Sequence, residues 1–327
     1  MATAEQIKAL LKSHAEGDDV RFYSTALQVA AKEARRGHHK LAQDIKDLAN
    51  KGQGSTKQRE IFDKTSPFRH QPKGDLKGLL QLTNSNVRRN ELILSDEIEA
   101  RLEEVLVEQK QKDRLKQFDL SPRRKLLFTG APGTGKTMSA SVLANELKLP
   151  LYTIVLDSLI TRFMGETASK LRLIFDHIAQ TRAVYLFDEF DAIGAQRGAQ
   201  NDVGEIRRIL NSFLILVEQD SSESVILAAT NHPELLDKAL YRRFDDVIQF
   251  ERPEKKQIIE LVETKLSSFD IKLFDWNTIA TKSEGLSSAE ITRACDAAAK
   301  ECVLHRDAII STEILIKAIE RRQQMKR

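Results

Sequence analysis

The sequence predicts an α/β protein in which five parallel strands form a doubly wound sheet with helices on both faces. Between residues 125 and 250, short apolar runs recur, and each interval between them is long enough for a helix. From Pro253 onward, apolar residues recur at helical spacing, which predicts a small helical domain behind the sheet. A short helical region is expected at the amino end of the chain.

The chain divides into four predicted parts. Residues 1–50 are interpreted as helical because apolar residues recur at three- and four-residue spacing, as at Leu41, Ile45 and Leu48. A segment this short has little core of its own, so we expect it to dock on a partner or a substrate. Residues 51–74 contain glycine and proline without a sustained period and are interpreted as a linker. The α/β part and the helical domain are placed at residues 75–252 and 253–327.

A long helix is expected to begin after Ser95, which can cap it and is followed by two acidic residues. Behind this helix come the apolar runs that predict the buried strands of the sheet. The predicted strands are residues 126–128, 151–156, 183–187, 224–229 and 247–250.

The first strand runs directly into a glycine-rich loop. Gly130 is followed, after four residues, by Gly135, Lys136 and Thr137, which is the spacing of the phosphate-binding motif G-x-x-x-x-G-K-[ST]. Glycines let successive backbone N–H groups surround a phosphate, and the helix behind them presents its positive end to the same anion. Lys136 is expected to reach the β- and γ-phosphates of ATP, and the Thr137 hydroxyl to bind Mg²⁺. A glycine turn that only connects a strand to a helix is the alternative, but the spacing and both flanks favour nucleotide binding.

Two carboxylates, Asp188 and Glu189, follow the third strand. In a doubly wound sheet the carboxyl end of this strand lies beside the phosphate loop. Asp188 would therefore hold Mg²⁺, and Glu189 would activate the water that attacks the γ-phosphate. An apolar run ending in Asp-Glu is a weak signal alone, and the preceding phosphate loop strengthens it. Asn231, at the end of the fourth strand, could orient the same water, although Thr-Asn before a proline otherwise indicates a turn.

The order of these motifs resembles the classical AAA branch of the AAA+ ATPases, in a bacterial type with a single ATPase module. The resemblance covers residues 95–320. Residues 130–137 resemble the Walker A motif of that family, residues 186–189 resemble Walker B, and Asn231 resembles sensor 1. The family fold is a phosphate-loop α/β subdomain followed by a helical lid, which agrees with the pattern of the chain.

Residues 235–250 resemble the second region of homology of this branch, and they contain Arg242 and Arg243. The resemblance implies that these arginines reach the γ-phosphate bound by a neighbouring subunit. A planar, permanently charged guanidinium suits the charge of phosphoryl transfer. Many members separate the two arginines by Pro-Gly, whereas here they are adjacent, so the sequence leaves open which one does the catalytic work. Without the resemblance, an arginine pair at a solvated helix end would be the default interpretation.

Two further segments acquire an interpretation from the resemblance. Phe163, Met164 and Gly165 resemble the first pore loop, whose aromatic residue grips an extended polypeptide; a buried Phe-Met pair on a helix is the alternative. Residues 285–291 resemble the lid motif beside the adenine, with Ser288 in place of the usual glycine. Together with Ala289 of this motif, the predicted nucleotide-binding residues are Gly130, Ala131, Pro132, Gly133, Thr134, Gly135, Lys136, Thr137 and Met138.

The resemblance implies an ATP hydrolase that forms a homo-oligomeric ring, a hexamer, and threads protein substrates through its pore to remodel or unfold them. The short leader resembles that of bacterial AAA proteins, some of which are encoded beside subtilisin-like serine proteases, so a partner serine protease is a further hypothesis. The alternative is a nucleic-acid-directed AAA+ loader or accessory ATPase. Its support is the basic bias of residues 1–74, with 14 Lys and Arg against 9 Asp and Glu. A nucleotide-gated scaffold is a third interpretation, against which the intact set of predicted catalytic residues argues.

Composition sets the remaining limits. An apolar content of 41% and a charged content of 30% are those of a soluble globular protein, and a net charge of +3 does not indicate nucleic-acid binding. Cys295 and Cys302 lie seven residues apart, without the spacing of a metal site. Neither a signal-peptide pattern nor an apolar run of membrane length is present. We therefore expect a cytoplasmic protein without a membrane segment.

Overall fold

The structure, a computed structural model, describes residues 43, 72, 74–83, 87–159, 164–190, 203–236, 238–271, 274–304 and 310–325. The chain divides into two units, residues 1–69 and 70–327, and all described residues but Gln43 belong to the second. Apart from Gln43, the predicted helices of residues 1–50 therefore lie outside the described residues, as does nearly all of the predicted linker.

Within the described residues the sheet has six strands, and they lie in the order β1-β3-β4-β5-β2-β6. The strands are β1 (Leu80–Thr83), β2 (Lys125–Gly130), β3 (Leu151–Ile154), β4 (Val184–Phe187), β5 (Val225–Thr230) and β6 (Asp246–Phe250). The five strands from β2 to β6 pair in parallel, as predicted. The α/β class and the doubly wound parallel sheet are thus confirmed.

The prediction of five strands was wrong by one, because β1 adds an antiparallel strand at the edge of the sheet. It pairs with β3, with Leu80 opposite Ile154 and Thr83 opposite Leu151. Only Leu80 of its four residues is fully buried, so the alternating pattern that indicates a strand is too short to recognise. Its place at the edge is set by pairing with a distant segment, which no local pattern encodes.

Helices flank the sheet and then fill the carboxyl-terminal part of the second unit. Among the described residues they are α1 (Asp96–Lys110), α2 (Lys112–Lys116), α3 (Lys136–Leu147), α4 (Leu156–Leu159), α5 (Met164–Gln180), α6 (Val203–Gln219), α7 (Lys238–Tyr241), α8 (Lys255–Lys265), α9 (Trp276–Ser283), α10 (Ser288–Leu304) and α11 (Thr312–Gln324). The predicted cap of the long helix is present, since the Ser95 hydroxyl accepts a hydrogen bond from the Ile98 N–H. Within this described part, no helix combines the length and the apolar character needed to cross a bilayer.

The two faces of the sheet carry separate apolar cores. Helices α1 and α3 cover one face with residues such as Leu102, Val105 and Leu143, and α5 and α6 cover the other. Helices α8 to α11 enclose a third core of their own, which includes Ile291 and Ile319. Because each core is closed by its own helices, the sheet and the helical part are each stabilised by burial of apolar surface.

An aromatic cluster joins α5 and α6 to the end of β4. The Phe213 ring of α6 lies 4.5 Å from the Phe190 ring, 4.9 Å from the Phe187 ring and 6.0 Å from the Phe175 ring, between centroids. These rings are almost fully buried, and such pairs add to the stabilisation that burial alone provides. Phe187 and Phe190 flank Asp188 and Glu189 in the chain, so α6 is packed directly against the segment that carries the two carboxylates.

Candidate active site

The phosphate loop connects β2 to α3 at the carboxyl edge of the sheet. Gly130 and Gly133 both have positive φ angles, of 140° and 77°, which glycine adopts without strain. At Gly130 a Cβ atom would also lie 2.0 Å from the Phe250 carbonyl oxygen of the neighbouring strand. The loop therefore requires glycine here both for its conformation and for its close approach to β6.

Lys136 is buried, and its ammonium group lies at the centre of the loop. Its Nζ donates hydrogen bonds to the carbonyl oxygens of Gly130 at 2.8 Å and Ala131 at 2.9 Å, and to Asn231 Oδ1 at 2.8 Å. Asn231 follows β5, so the lysine joins the ends of two neighbouring strands. The Thr134 hydroxyl donates a hydrogen bond of 2.8 Å to the Ala131 carbonyl oxygen, which joins two residues of the loop.

The two predicted Mg²⁺ ligands are brought together. The Thr137 hydroxyl, on the first turn of α3, donates a hydrogen bond of 2.7 Å to Asp188 Oδ2 at the end of β4. A hydroxyl and a carboxylate are hard oxygen ligands of the kind that Mg²⁺ prefers, beside a loop built for phosphate. The residues present therefore fit a magnesium–nucleotide complex.

Glu189 is exposed at the same edge of the sheet and has an unusual backbone conformation. Its φ angle is +50°, a left-handed conformation that non-glycine residues seldom adopt. The turn is held on both sides, because the Glu189 N–H donates to Asp188 Oδ1 and the Phe190 N–H donates to the Ala229 carbonyl oxygen. Residues kept in such conformations concentrate at functional sites, where the surrounding structure fixes them.

The helical part contacts the phosphate loop through the start of α10. The Ala289 N–H donates a hydrogen bond of 3.0 Å to the Gly133 carbonyl oxygen. The start of α10 is capped reciprocally, since Glu290 accepts from the Ser287 N–H at 2.7 Å and the Glu290 N–H donates to the Ser287 hydroxyl. The sequence prediction missed this cap, although the Ser-x-x-Glu spacing of residues 287–290 is its known signature.

Replacing Gly133 with alanine is expected to raise the Kd for ATP about tenfold, because the left-handed conformation costs about 1–2 kcal/mol and the methyl group meets the lid. An added Cβ would lie 2.8 Å from Ser287 Oγ and 3.0 Å from Ala289 Cβ. Isothermal titration with a non-hydrolysable ATP analogue measures the effect. Gly285→Ala is the matched control, since Gly285 has a φ of +80° but open space around it. Equal affinities of the two variants would show that the lid contact does not govern binding.

Arg242 and Arg243 lie at the opposite end of the sheet from the phosphate loop. They precede β6, whose first residue, Asp246, pairs with Leu126 near the start of β2. The phosphate loop instead follows the last residue of β2, so the length of the strand, roughly 16 Å, separates the two ends. Arg242 is exposed, whereas Arg243 forms an ion pair with Glu218 on α6, with 2.9 Å between Nε and Oε2.

Four other predicted residues lie in the phosphate loop, on α3 or at the start of α5. Pro132 is exposed in the phosphate loop, and Met138 is partly buried on α3. Met164 and Gly165 are the first two residues of α5, and Phe163 lies outside the described residues. Glu218 was not singled out by the sequence, because nothing local to the chain links it to an arginine 25 positions later.

A phosphate loop at the carboxyl edge of a doubly wound sheet, with a paired Thr137–Asp188 and Glu189 beside it, defines a P-loop nucleoside triphosphatase. Comparison with known families narrows this class. Residues 126–252 match the model of the ATPase family associated with various cellular activities, AAA.

Three relatives extend the match. An uncharacterized AAA family ATPase, y4kL, from Sinorhizobium fredii is 33% identical over 307 residues, which are 94% of this chain and 91% of the relative. A putative 26S proteasome regulatory subunit homolog from Methanothermobacter thermautotrophicus is 39% identical over 47% of this chain and 42% of its own length. The ATP-dependent zinc metalloprotease FtsH of Helicobacter felis is 31% identical over 76% of this chain and 40% of its own. The chain thus spans nearly all of the first relative and less than half of the other two.

This chain belongs to the AAA family of ATPases and is an ATP hydrolase. The family resemblance drawn from the motifs is thereby confirmed.

Proposed function

We propose that the protein is an ATP-driven motor that unfolds or remodels other proteins as a ring of six copies. The observation that carries the proposal is the position of Arg242 and Arg243 at the amino edge of the sheet, a strand length from the phosphate loop of their own chain. Arginines in this place can serve a γ-phosphate only if it is bound by another copy. A contact between two different faces of identical chains repeats from copy to copy and closes into a ring when the rotation permits.

Each residue at the nucleotide site then has a chemical role. Lys136 would bind the β- and γ-phosphates, exchanging its present carbonyl and Asn231 contacts for phosphate oxygens. Thr137 and Asp188 would hold Mg²⁺, which neutralises phosphate charge. Glu189 would accept a proton from the attacking water, and Asn231 would orient that water. Arg242 and Arg243 of the next copy would stabilise the charge that develops on the transferred phosphoryl group.

The proposed substrate is a polypeptide, which Phe163, Met164 and Gly165 would grip. An aromatic ring followed by a flexible glycine can contact many different side chains without selecting a sequence. Two relatives support a protein substrate through their names, since one is a homolog of a proteasome regulatory subunit and the other is an ATP-dependent protease. The second name connects dependence on ATP with proteolysis.

We assign docking, linking and lid roles to the segments of the chain. Residues 1–50 would dock a partner or substrate, residues 51–74 would link them to the α/β subdomain at 75–252, and residues 253–327 would form the lid. The proposed partner is a serine protease carried on a separate chain, and the proposed location is the cytoplasm. Co-purification from a host that encodes both proteins tests the protease: its absence from the purified complex would contradict this part of the proposal.

Replacing Phe163 with alanine is expected to slow ATP-dependent unfolding of a tagged fluorescent protein at least about tenfold, because the gripping ring is lost. The rate of ATP hydrolysis should change less than about twofold, since the nucleotide site is untouched. Phe163→Tyr is the matched control, because it keeps an aromatic ring of similar size. Unfolding by Phe163→Ala at the rate of the unchanged protein would contradict threading through this loop.

A further inference from the structure

Glu218 holds one of the two arginines. It lies in the last turn of α6, and its Oε2 is 2.9 Å from Arg243 Nε. The Glu218 side chain is 57% exposed and that of Arg243 is 35% exposed, so the pair lies at the rim of the amino edge. The contact is a close ion pair rather than a well-aligned hydrogen bond.

The way in which Arg243 is held leaves its phosphate-binding face available. A guanidinium group has five N–H donors in a rigid plane, and Nε contributes only one of them. Glu218 contacts Nε, and among the described residues neither terminal nitrogen of Arg243 donates a hydrogen bond. Those two nitrogens form the fork that binds phosphate oxygens. Arg242, in contrast, is exposed and has no ion-pair partner in the described part of the chain.

The element that carries Glu218 is itself fixed. Val217 and Phe213 of α6 are fully buried, and Phe213 packs on Phe190, the residue directly after Glu189. The position of Glu218 is therefore set by the same packing that surrounds the carboxylates of the nucleotide site. An anchor on a packed helix restricts the rotamers of a long side chain better than a partner on a loop would.

We infer that Glu218 is a positioning residue for Arg243, which it orients toward the nucleotide bound by the next copy. The inference rests on the proposed function, because Arg243 serves another chain only if copies assemble. Glu218 does not contact the nucleotide in this scheme. By holding Arg243 near one conformation, Glu218 lowers the entropic cost of placing the guanidinium at the nucleotide when the two copies meet.

Charge reversal tests this role. Glu218→Lys is expected to lower kcat for ATP hydrolysis at least about tenfold, because it repels Arg243 from its place, while KM for ATP changes less than about twofold. Glu218→Asp, which keeps the charge, should recover part of the loss. The matched control is Glu223→Lys, the same charge change five positions away. Glu223 forms ion pairs with Lys112 and Lys116, whose hydrogen bonds lower the pKa of Glu223 to about 2. The control therefore breaks these two ion pairs, but neither of them involves Arg243.

Mixed assemblies separate positioning in trans from damage to the chain's own nucleotide site. One chain, the acceptor, carries Arg242→Ala and Arg243→Ala and keeps its nucleotide site; the other, the donor, carries Lys136→Ala and keeps its arginines. Hydrolysis by the mixture then reports donor arginines at acceptor sites. Glu218→Lys added to the donor should lower this activity, and Glu218→Lys added to the acceptor should leave it unchanged.

Other outcomes would contradict the positioning role of Glu218, the ring mechanism or both. Equal loss from either placement, or a loss equal to that of Glu223→Lys, would overturn the positioning role of Glu218. If the mixture of the two parent variants shows no restored hydrolysis at all, the trans action of the arginines fails, and the proposed ring mechanism fails with it. Restored hydrolysis that is insensitive to Glu218→Lys in the donor would leave the ring mechanism in place and refute only the inference about Glu218.

Discussion

Replacing Arg242 and Arg243 together with alanine is expected to lower kcat for ATP hydrolysis about 10³- to 10⁵-fold, the range found for arginines supplied to phosphoryl transfer by a second protein. The reason is that the charge developing on the γ-phosphate would lose its planar cationic partner. Binding of ATP should change little, because neither arginine lies near the phosphate loop of its own chain. Steady-state kinetics together with equilibrium binding of labelled ATP measure both quantities.

A double variant that loses two exposed arginines elsewhere is the proper comparison. Arg114 on α2 and Arg172 on α5 are both exposed, so Arg114→Ala combined with Arg172→Ala removes the same charge. This control should hydrolyse ATP at close to the unchanged rate. Mixed with an equal amount of the Lys136→Ala chain, the Arg242/Arg243 variant should recover activity at about a quarter of the sites. A site is active only when the arginine variant supplies the nucleotide site, with a chance of about one half, and the Lys136→Ala chain supplies the arginines beside it, again with a chance of about one half. Hydrolysis by the double arginine variant alone at an undiminished rate would refute the role of both residues.

Replacing Glu189 with glutamine is expected to lower kcat about 10²- to 10⁴-fold, which is the usual contribution of a positioned general base. Glutamine keeps the size of the side chain and loses its ability to take a proton from water. ATP should still bind, since Lys136 and Thr137 are unaffected. Radiolabelled ATP hydrolysis over hours, with Glu97→Gln on the exposed start of α1 as the control, gives the comparison.

The same variant isolates the assembled state. Because ATP persists at the site, light scattering should show a mass that rises from 37 kDa for one chain to about 220 kDa when ATP is added. Arginines from one copy would then be held against the nucleotide of the next. A Glu189→Gln protein that binds ATP and stays at the mass of one chain at high concentration would exclude the ring.

Much of the fold follows from patterns that are local in the sequence. The parallel strands are continuous apolar runs because both of their faces are covered by helices, and Ser95 is recognisable as a cap because its hydroxyl replaces a missing backbone partner. Strand β1 is different, since its position depends on pairing with β3, some seventy residues away in the chain. A propensity or a period measured over a few residues cannot report such a partner.

The site divides in the same way. The contact between Thr137 and Asp188 could be anticipated, because a fixed loop motif and the carboxyl end of a neighbouring strand must meet in this topology. The left-handed turn at Glu189 and the ion pair between Glu218 and Arg243 could not. Both are decided by tertiary packing, which places side chains from separate elements within a few ångströms of each other.

Strand β1 also has a consequence for how the protein can be divided. Its backbone pairs with β3 along one side of the sheet, so the hydrogen-bonding groups of β3, whose Leu151 and Tyr152 are fully buried, do not form a free edge. A fragment trimmed to residues 126–252, the region matched by the family, would leave this row of N–H and C=O groups open to strands of other molecules. The fragment would also lack α1, which covers one face of the sheet. Its aggregation would therefore follow from an open edge and an uncovered face rather than from any fault in its nucleotide site. The segment that begins at Leu80 therefore protects the ATPase as a folded body, before any chemistry takes place.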